Sequence, residues 1–183
     1  KTEVFYINTN NNKRLYVYED GTSSPVQDRN GNNIKATAIA GLGDFDSSMN
    51  GPEIVYVSNN GKLAYLSNGM KEQKLNRGPN SNKAVSQPAD FDDDTVLEVA
   101  VVTGNGEIEL VDRDKSNAEQ TFSSVSPAEI PLGAVDWSGD GTKDVVYADS
   151  NNNELLYFEV EDGSSTFINS GGRIVISTNA GTS

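Results

Sequence analysis

Short apolar runs, each opened by a carboxylate, recur along this chain at a fixed interval. The first three are Glu53-Ile54-Val55-Tyr56-Val57, Glu98-Val99-Ala100-Val101-Val102 and Asp144-Val145-Val146-Tyr147-Ala148. Asn and Gly follow each run, at Asn59-Asn60-Gly61, Gly104-Asn105-Gly106 and Asn151-Asn152-Asn153. Those residues tolerate positive φ and suit tight hairpins. A second run comes next, Lys62 to Leu66, Glu107 to Val111 and Glu154 to Phe158, and then a more polar one, Glu72 to Leu75, Glu119 to Phe122 and Ser164 to Ile168. β-Branched and aromatic runs bounded by turn residues predict strands throughout. No stretch carries the spacing of a long amphipathic helix.

The interval is 46 residues, marked by Asp44, Asp90 and Asp136. A period of this size is the signature of stacked or radially arranged units. About four strands per unit, arranged radially, predict an all-β fold of the β-propeller type. At the N-terminus, Glu3 to Ile7 and Arg14 to Tyr18 match the second and third strands of a unit that lacks its first. At the C-terminus, Arg173 to Ser177 is a strand with no unit after it. The two ends therefore complement each other. The expected fold is a four-bladed β-propeller of about 46 residues per blade, closed by pairing N- and C-terminal strands in one blade. It is a single domain over 1–183, with blades near 34–80, 81–127, 128–170, and 171–183 plus 1–33. A fragment of a larger ring of about five to seven blades would leave the complementary ends unexplained. A β-sandwich would leave the constant spacing unexplained.

Composition narrows the chemistry. The 183 residues suit one domain, and neither Cys nor His occurs. Disulfides and thiol chemistry are thereby excluded, together with the commonest general base and triads of the Ser-His-Asp kind. No apolar run approaches the roughly 18 residues that cross a bilayer, so membrane insertion is not expected. The chain starts at Lys1 rather than Met, which fits a processed product or an excised domain. Asp and Glu number 27 against 14 Lys and Arg, for a net charge of −13. Phosphate contacts need clustered cations, so nucleic acid is not an expected partner. The acidic excess fits cation binding, a high-salt environment or a solvating extracellular surface.

The recurring acids fall in loops. The third reads Asp136-Trp137-Ser138-Gly139-Asp140-Gly141-Thr142-Lys143-Asp144. Asp136, Ser138, Asp140 and Asp144 put oxygens at positions 1, 3, 5 and 9, and Thr142 at position 7 can offer a carbonyl. Calcium takes about six to eight oxygens, and a tight loop of alternating carboxylates can wrap one ion. The second loop places Asp90, Asp92, Asp94 and Glu98 at the same positions, with Val96 at 7 and Thr95 where the third has Gly. The first, with Asp44 and Asp46, is one residue longer and has Ser48 at position 5. Asp-rich turns also arise without metal, because Asp accepts backbone N–H bonds.

These loops resemble the VCBS and FG-GAP propeller repeats, whose blades carry an Asp-x-Asp-x-Asp-Gly-x-x-Asp loop before a short apolar strand. Asp136 to Ala148 matches best, and the three loop-bearing repeats cover most of the chain. Ser138 and Thr95 depart from the pattern, and four blades is fewer than such proteins usually build. The resemblance implies calcium in the loops, at one or two sites, and an extracellular or cell-surface adhesion role.

Phe45, Phe91 and Trp137 share one position in the repeat, which predicts packing between units. Tyr6, Tyr56 and Tyr147, with Tyr16, Tyr65 and Tyr157, are expected to pack on strands with wet hydroxyl ends. Specificity is expected from the parts that do not repeat, Glu19 to Asn33, Leu75 to Lys83 and Asp114 to Ala128. Taken together, the sequence predicts a non-enzymatic interaction domain that binds a protein or glycan partner, as a monomer or as part of a larger protein. The alternatives are a purely structural module and a glycosidase-type enzyme. The last would need one unique pair of acids across a cleft rather than acids in repeated loops.

Overall fold

The structure is a computed structural model that describes residues 3–46, 48, 51–67, 72–75, 84–91, 93, 95–104, 108–113, 120–122, 129–149, 152–161, 166–167 and 174–177. The apolar runs do form strands, and the strands form small antiparallel sheets. The first sheet holds β1 (Val4–Asn8), β2 (Arg14–Glu19) and β3 (Thr22–Pro25). The second holds β4 (Ala36–Gly43), β5 (Glu53–Ser58), β6 (Leu63–Leu66) and β7 (Glu72–Lys74). The third holds β8 (Ala84–Val85), β9 (Glu98–Val102), β10 (Ile108–Asp112) and β11 (Gln120–Phe122). In the fourth, β12 (Glu129–Val135), β13 (Asp144–Asp149) and β14 (Glu154–Phe158) are joined by β17 (Ile174–Ser177). Between them, β15 (Val160–Glu161) and β16 (Thr166–Phe167) form a separate two-stranded ribbon.

The closed ring expected from the chain ends does not form. β17 pairs with β14, Tyr157 opposite Ile174, and no described strand of the first sheet is hydrogen-bonded to one of the fourth. The fold is all-β and β-sandwich-like, four separate sheets of three or four strands, and not a four-bladed propeller. Within the 164–168 segment, expected as the fourth strand of its unit, the described Thr166 and Phe167 instead belong to the ribbon, where Val160 lies opposite Phe167. That leaves the edge of β14 open to the next apolar strand. Pairing with it closes a loop of about 20 residues. Reaching the N-terminal sheet would close one of more than 150, which costs about 2 kcal/mol more in chain entropy.

Alternation along each strand explains how the sheets stack. On β5 and β6, Val55, Val57, Leu63 and Tyr65 face the third sheet and cluster with Val85, Val99, Val101 and Val111. Their neighbours Ile54, Tyr56, Ala64 and Leu66 face the first sheet and cluster with Leu15, Phe5, Ile7 and Val17. The third sheet repeats the device: Ala100, Val102, Ile108 and Leu110 meet Val145, Tyr147, Leu156 and Phe158. The two middle sheets are thus apolar on both faces, which is why their runs are continuous rather than alternating. Tyr147 and Phe158 stack at 4.7 Å with ring planes 7° apart. Gly43, ending β4, lies where a Cβ would come 2.8 Å from Leu97 and 3.0 Å from Pro88, so the second sheet seats directly against the second acidic loop. Among the described residues no helix is long and apolar enough to cross a membrane.

Candidate functional site: the acidic loops

Each acidic loop enters one of the long central strands, and a buried carboxylate at the strand's first residue ties the loop down. Glu53, Glu98 and Asp144 are all fully buried. Glu53 Oε2 accepts the N–H groups of Phe45 (2.9 Å) and Asp46 (3.1 Å). Glu98 Oε2 accepts that of Phe91 at 2.7 Å. Asp144 Oδ2 accepts those of Trp137 (2.8 Å) and Ser138 (2.9 Å). These are charge-assisted bonds to backbone donors that would otherwise go unpaired in a turn. Burial pushes the carboxyl groups of Glu53 and Asp144 above the ordinary range, and the backbone bonds only partly offset it.

Beyond this shared anchor the loops differ. In the first, Asp44 is exposed and Asp46 is fully buried. Asp46 Oδ2 accepts the Tyr65 hydroxyl at 2.7 Å and Arg113 Nε at 3.0 Å, while Oδ1 accepts the N–H and hydroxyl of Ser48. Arg113 Nε also lies 2.8 Å from the Tyr65 hydroxyl. Burial pushes the Asp46 carboxyl upward, but the bonds from Ser48 and Tyr65 and the Arg113 charge outweigh it, so the net shift is downward. The Tyr65 hydroxyl is pushed up to about 12 by burial and by its bond to Asp46. The charge of Asp46 is therefore already matched by a protein cation.

In the second loop, Asp90 is half-buried and accepts the Thr95 N–H at 3.1 Å, and Val96 is half-buried. Asp92 and Asp94 lie outside the described residues. Asp93 and Thr95 both adopt left-handed backbone, φ +60° and +77°. A β-branched residue pays for that conformation. Its counterpart in the third loop is Gly141, at φ +101°.

In the third loop, Asp136, Ser138 and Asp140 are exposed, while Thr142 is buried beside Asp144. Asp136 accepts the N–H groups of Gly139 (2.7 Å) and Gly141 (3.1 Å), one on each carboxylate oxygen. Asp140 accepts that of Thr142 at 2.8 Å. No side-chain cation is paired with these acids in the described hydrogen bonds, and Asp144 Oδ1, like Glu53 Oε1 in the first loop, is buried without a close hydrogen-bond partner, although the Val160 N–H is near enough to favour the Asp144 charge. That orphaned oxygen is the kind of donor that a hard cation would satisfy. Yet among the described residues no three acidic groups converge on one point as a preformed metal site would require.

Two expectations about aromatics need correction. Phe45 and Phe91 are fully buried between sheets, but Trp137 at the equivalent position is 53% exposed, touching Tyr157 at 6.5 Å between ring centres. Its sheet is last in the stack, so no further described sheet covers it. The hydroxyls of Tyr56 and Tyr65 are not wet: each is bonded to a carboxylate, Glu72 and Asp46. The sequence marked Glu53 as the opener of an apolar run but not as a site residue, since the extra loop residue breaks the register, and it did not mark Arg113, which meets Asp46 from another sheet. Of the expected specificity loops, only the first lies mainly within the described residues. It forms the β2–β3 turn at Asp20-Gly21 and a tight turn in which Asp28 Oδ1 accepts the N–H groups of Asn30 and Asn32, both at 2.8 Å. The chain matches no family model, and no curated protein matches it.

Proposed function

We propose that the protein is a non-enzymatic interaction module of extracellular or cell-surface type that binds a glycan. The observation that carries this is a polar recess of about 420 Å³ between the Asp28–Asn32 turn and the Ser58–Asn60 turn. Asn32, Asn33, Asn59 and Asn60 line it, with Lys35 and Glu72 among the charged groups. Carboxamides both donate and accept, as sugar hydroxyls do, and flanking charges strengthen such bonds. The walls are held in advance of any ligand. Asn59 N–H donates to the Lys35 carbonyl (3.1 Å), Gly61 N–H to that of Ser58 (2.8 Å), and Asn32 Nδ2 to Asp28 Oδ2 (3.0 Å). Preformed walls lower the ordering cost of binding. The likeness of Asp136–Ala148 to adhesive repeats supports the same role. The test is a glycan array followed by calorimetry with Asn32→Ala and Asn59→Ala. Binding lost in both variants is the expected result. A chain that binds no glycan would overturn it in favour of a purely structural module, and variants that bind as well as the parent would remove the recess as the site.

A second reading rests on the orphaned Asp144 Oδ1: calcium in the third loop, held by Asp136, Asp140 and Asp144 with oxygens of Ser138 and Thr142. The ion would add positive charge to a loop that carries three carboxylates against the single exposed Lys143. Its test is calcium titration followed by thermal unfolding. A rise in Tm that Asp144→Asn abolishes supports the site; no rise removes it.

A further inference from the structure

We infer that the ligand of the polar recess is an anionic glycan, one bearing carboxylate or sulfate groups; this rests on the reading of the recess as a glycan site. Four segments gather around it: 8–14, 27–36, 58–62 and 72–74. Lys13 accepts the Ala36 N–H at 3.0 Å, Arg14 pairs with Lys35 across an antiparallel bridge, and the Lys35 carbonyl holds Asn59. Lys74 lies opposite Ala64 on the ladder, on the face that meets the first sheet. These segments carry six cations, Lys13, Arg14, Arg29, Lys35, Lys62 and Lys74, against two acids, Asp28 and Glu72. The whole chain has 14 Lys and Arg against 27 Asp and Glu, so the balance is inverted here. The stretches flanking β7, 68–71 and 76–83, lie outside the described residues, and their sequence contains no Asp or Glu. At the other end of β2 the turn is acidic, Glu19-Asp20-Gly21.

Both acids of the recess are already engaged. Asp28 accepts the N–H groups of Asn30 and Asn32 and the Asn32 side-chain amide within its own turn. Glu72 Oε1 accepts the Tyr56 hydroxyl at 2.8 Å, and its Oε2 lies 3.2 Å from Lys74 Nζ. Lys74 is thus held by Glu72, and Lys35, half-buried in the lining, is the cation that the recess presents. Exposed Arg29 sits on the turn that forms one wall. Lys62 closes the turn that forms the other, where its carbonyl accepts the Ser58 N–H at 2.8 Å. A glycan with acidic groups on successive units would meet Lys35 inside and the outer cations along the walls, while the Asn carboxamides take its hydroxyls. A neutral glycan satisfies the carboxamides alone. A lone inorganic anion satisfies Lys35 alone. The acidic remainder of the chain repels the same ligand, so its encounter is directed to this end.

The probes are dextran, carboxymethyl dextran and dextran sulfate of matched length, titrated into the whole chain by calorimetry at low salt. At least one charged form should bind about tenfold more tightly than dextran, the range of a few partly screened ion pairs. The tighter of the two tells carboxylate from sulfate, and 1 M NaCl should remove most of the margin. Lys35→Gln with Arg29→Gln should cut the affinity for that form by about three- to tenfold and leave dextran unaffected. Lys143→Gln, on the third acidic loop, should change neither. Asn59→Ala should weaken charged and neutral forms alike, which simple ion exchange would not show. Dextran binding as tightly as its charged forms, or a Lys35 and Arg29 variant with the parent's affinity for them, would overturn this inference and leave the glycan site standing. Array hits that are all neutral would do the same. An oligonucleotide of matched charge that binds as tightly as dextran sulfate, with Asn59→Ala without effect, would overturn it in favour of a general polyanion surface. A chain that binds none of the three dextrans and no glycan on an array overturns both readings.

Discussion

The first and third acidic loops start from the same design and solve it differently. Both hang on a buried carboxylate that accepts two backbone N–H groups, Glu53 in one and Asp144 in the other. In the first loop a second acid, Asp46, is driven inside and neutralised by Arg113 and Tyr65. In the third, the equivalent Ser138 is neutral and exposed, and the acids stay at the surface. The first loop lies between two stacked sheets, where burial is unavoidable and charge must be matched locally. The third sits on the last sheet, where water does that work. Where the two loops carry matching acids they treat them alike, Asp44 and Asp136 exposed and Glu53 and Asp144 buried; the difference lies at the third position, where Asp46 needs a counter-charge and Ser138 does not.

The largest expected effect tests that difference at the shared aromatic position. Phe45→Ala empties a fully buried site and should cost about 4 kcal/mol, whereas Trp137→Ala should cost less than about 1 kcal/mol. Urea unfolding of both variants measures the gap; equal losses would mean that Trp137 is covered after all. Next is the cation. Arg113→Met leaves the Asp46 carboxylate buried without its counter-charge and should cost about 3 kcal/mol. Adding Asp46→Asn should recover much of the loss, because the uncompensated charge is then gone. A double variant no more stable than Arg113→Met alone would show that Arg113 acts through packing.

Much of this was legible in the chain. Carboxylate-led apolar runs and Asn-Gly turns located the strands of the middle sheets, because local propensity and alternation act within a few residues. Asp144 and Glu98 were visible as loop positions, although their role is to hold backbone N–H groups. How the sheets assemble was not legible. The 46-residue period reads the same for units in a ring and units in a row, and the choice turned on which edge β17 meets. Arg113 was hidden for a related reason. It meets Asp46 across 67 residues of chain, and nothing in either segment marks the other.

The second loop offers a smaller and more local test. Thr95 occupies at φ +77° the position that Gly141 fills in the third loop. Thr95→Gly should therefore stabilise the protein, by about 1 kcal/mol, since relief of the strained backbone exceeds the added freedom of the unfolded chain. Gly141→Thr should destabilise by a similar amount. A destabilised Thr95→Gly variant, read by thermal unfolding, would show that the Thr side chain contributes contacts worth more than the strain.

Acidification should act in opposite directions on the two anchoring carboxylates and on Asp46, and the effect is the smallest of the set. The Asp144 and Glu53 carboxyls titrate above their unfolded values in the folded chain, chiefly through burial. The stability they contribute is complete below the unfolded value of about 4 and is lost as pH rises through the folded one. Asp46 titrates below its unfolded value, so its contribution is present above about 4 and is lost as pH falls through the folded one. Lowering the pH of the parent from 7 to about 4 should therefore bring a gain from Asp144 and Glu53 with almost no loss from Asp46. Asp144→Asn should flatten that gain, and Asp46→Asn should leave it in place while reducing the loss below pH 4. Melting curves across pH 3 to 7 decide it. If Asp144→Asn kept the parent's full gain between pH 7 and about 4, the buried carboxylate of the third loop would be satisfied in solution by something other than the backbone, and a bound cation would be the first candidate to titrate.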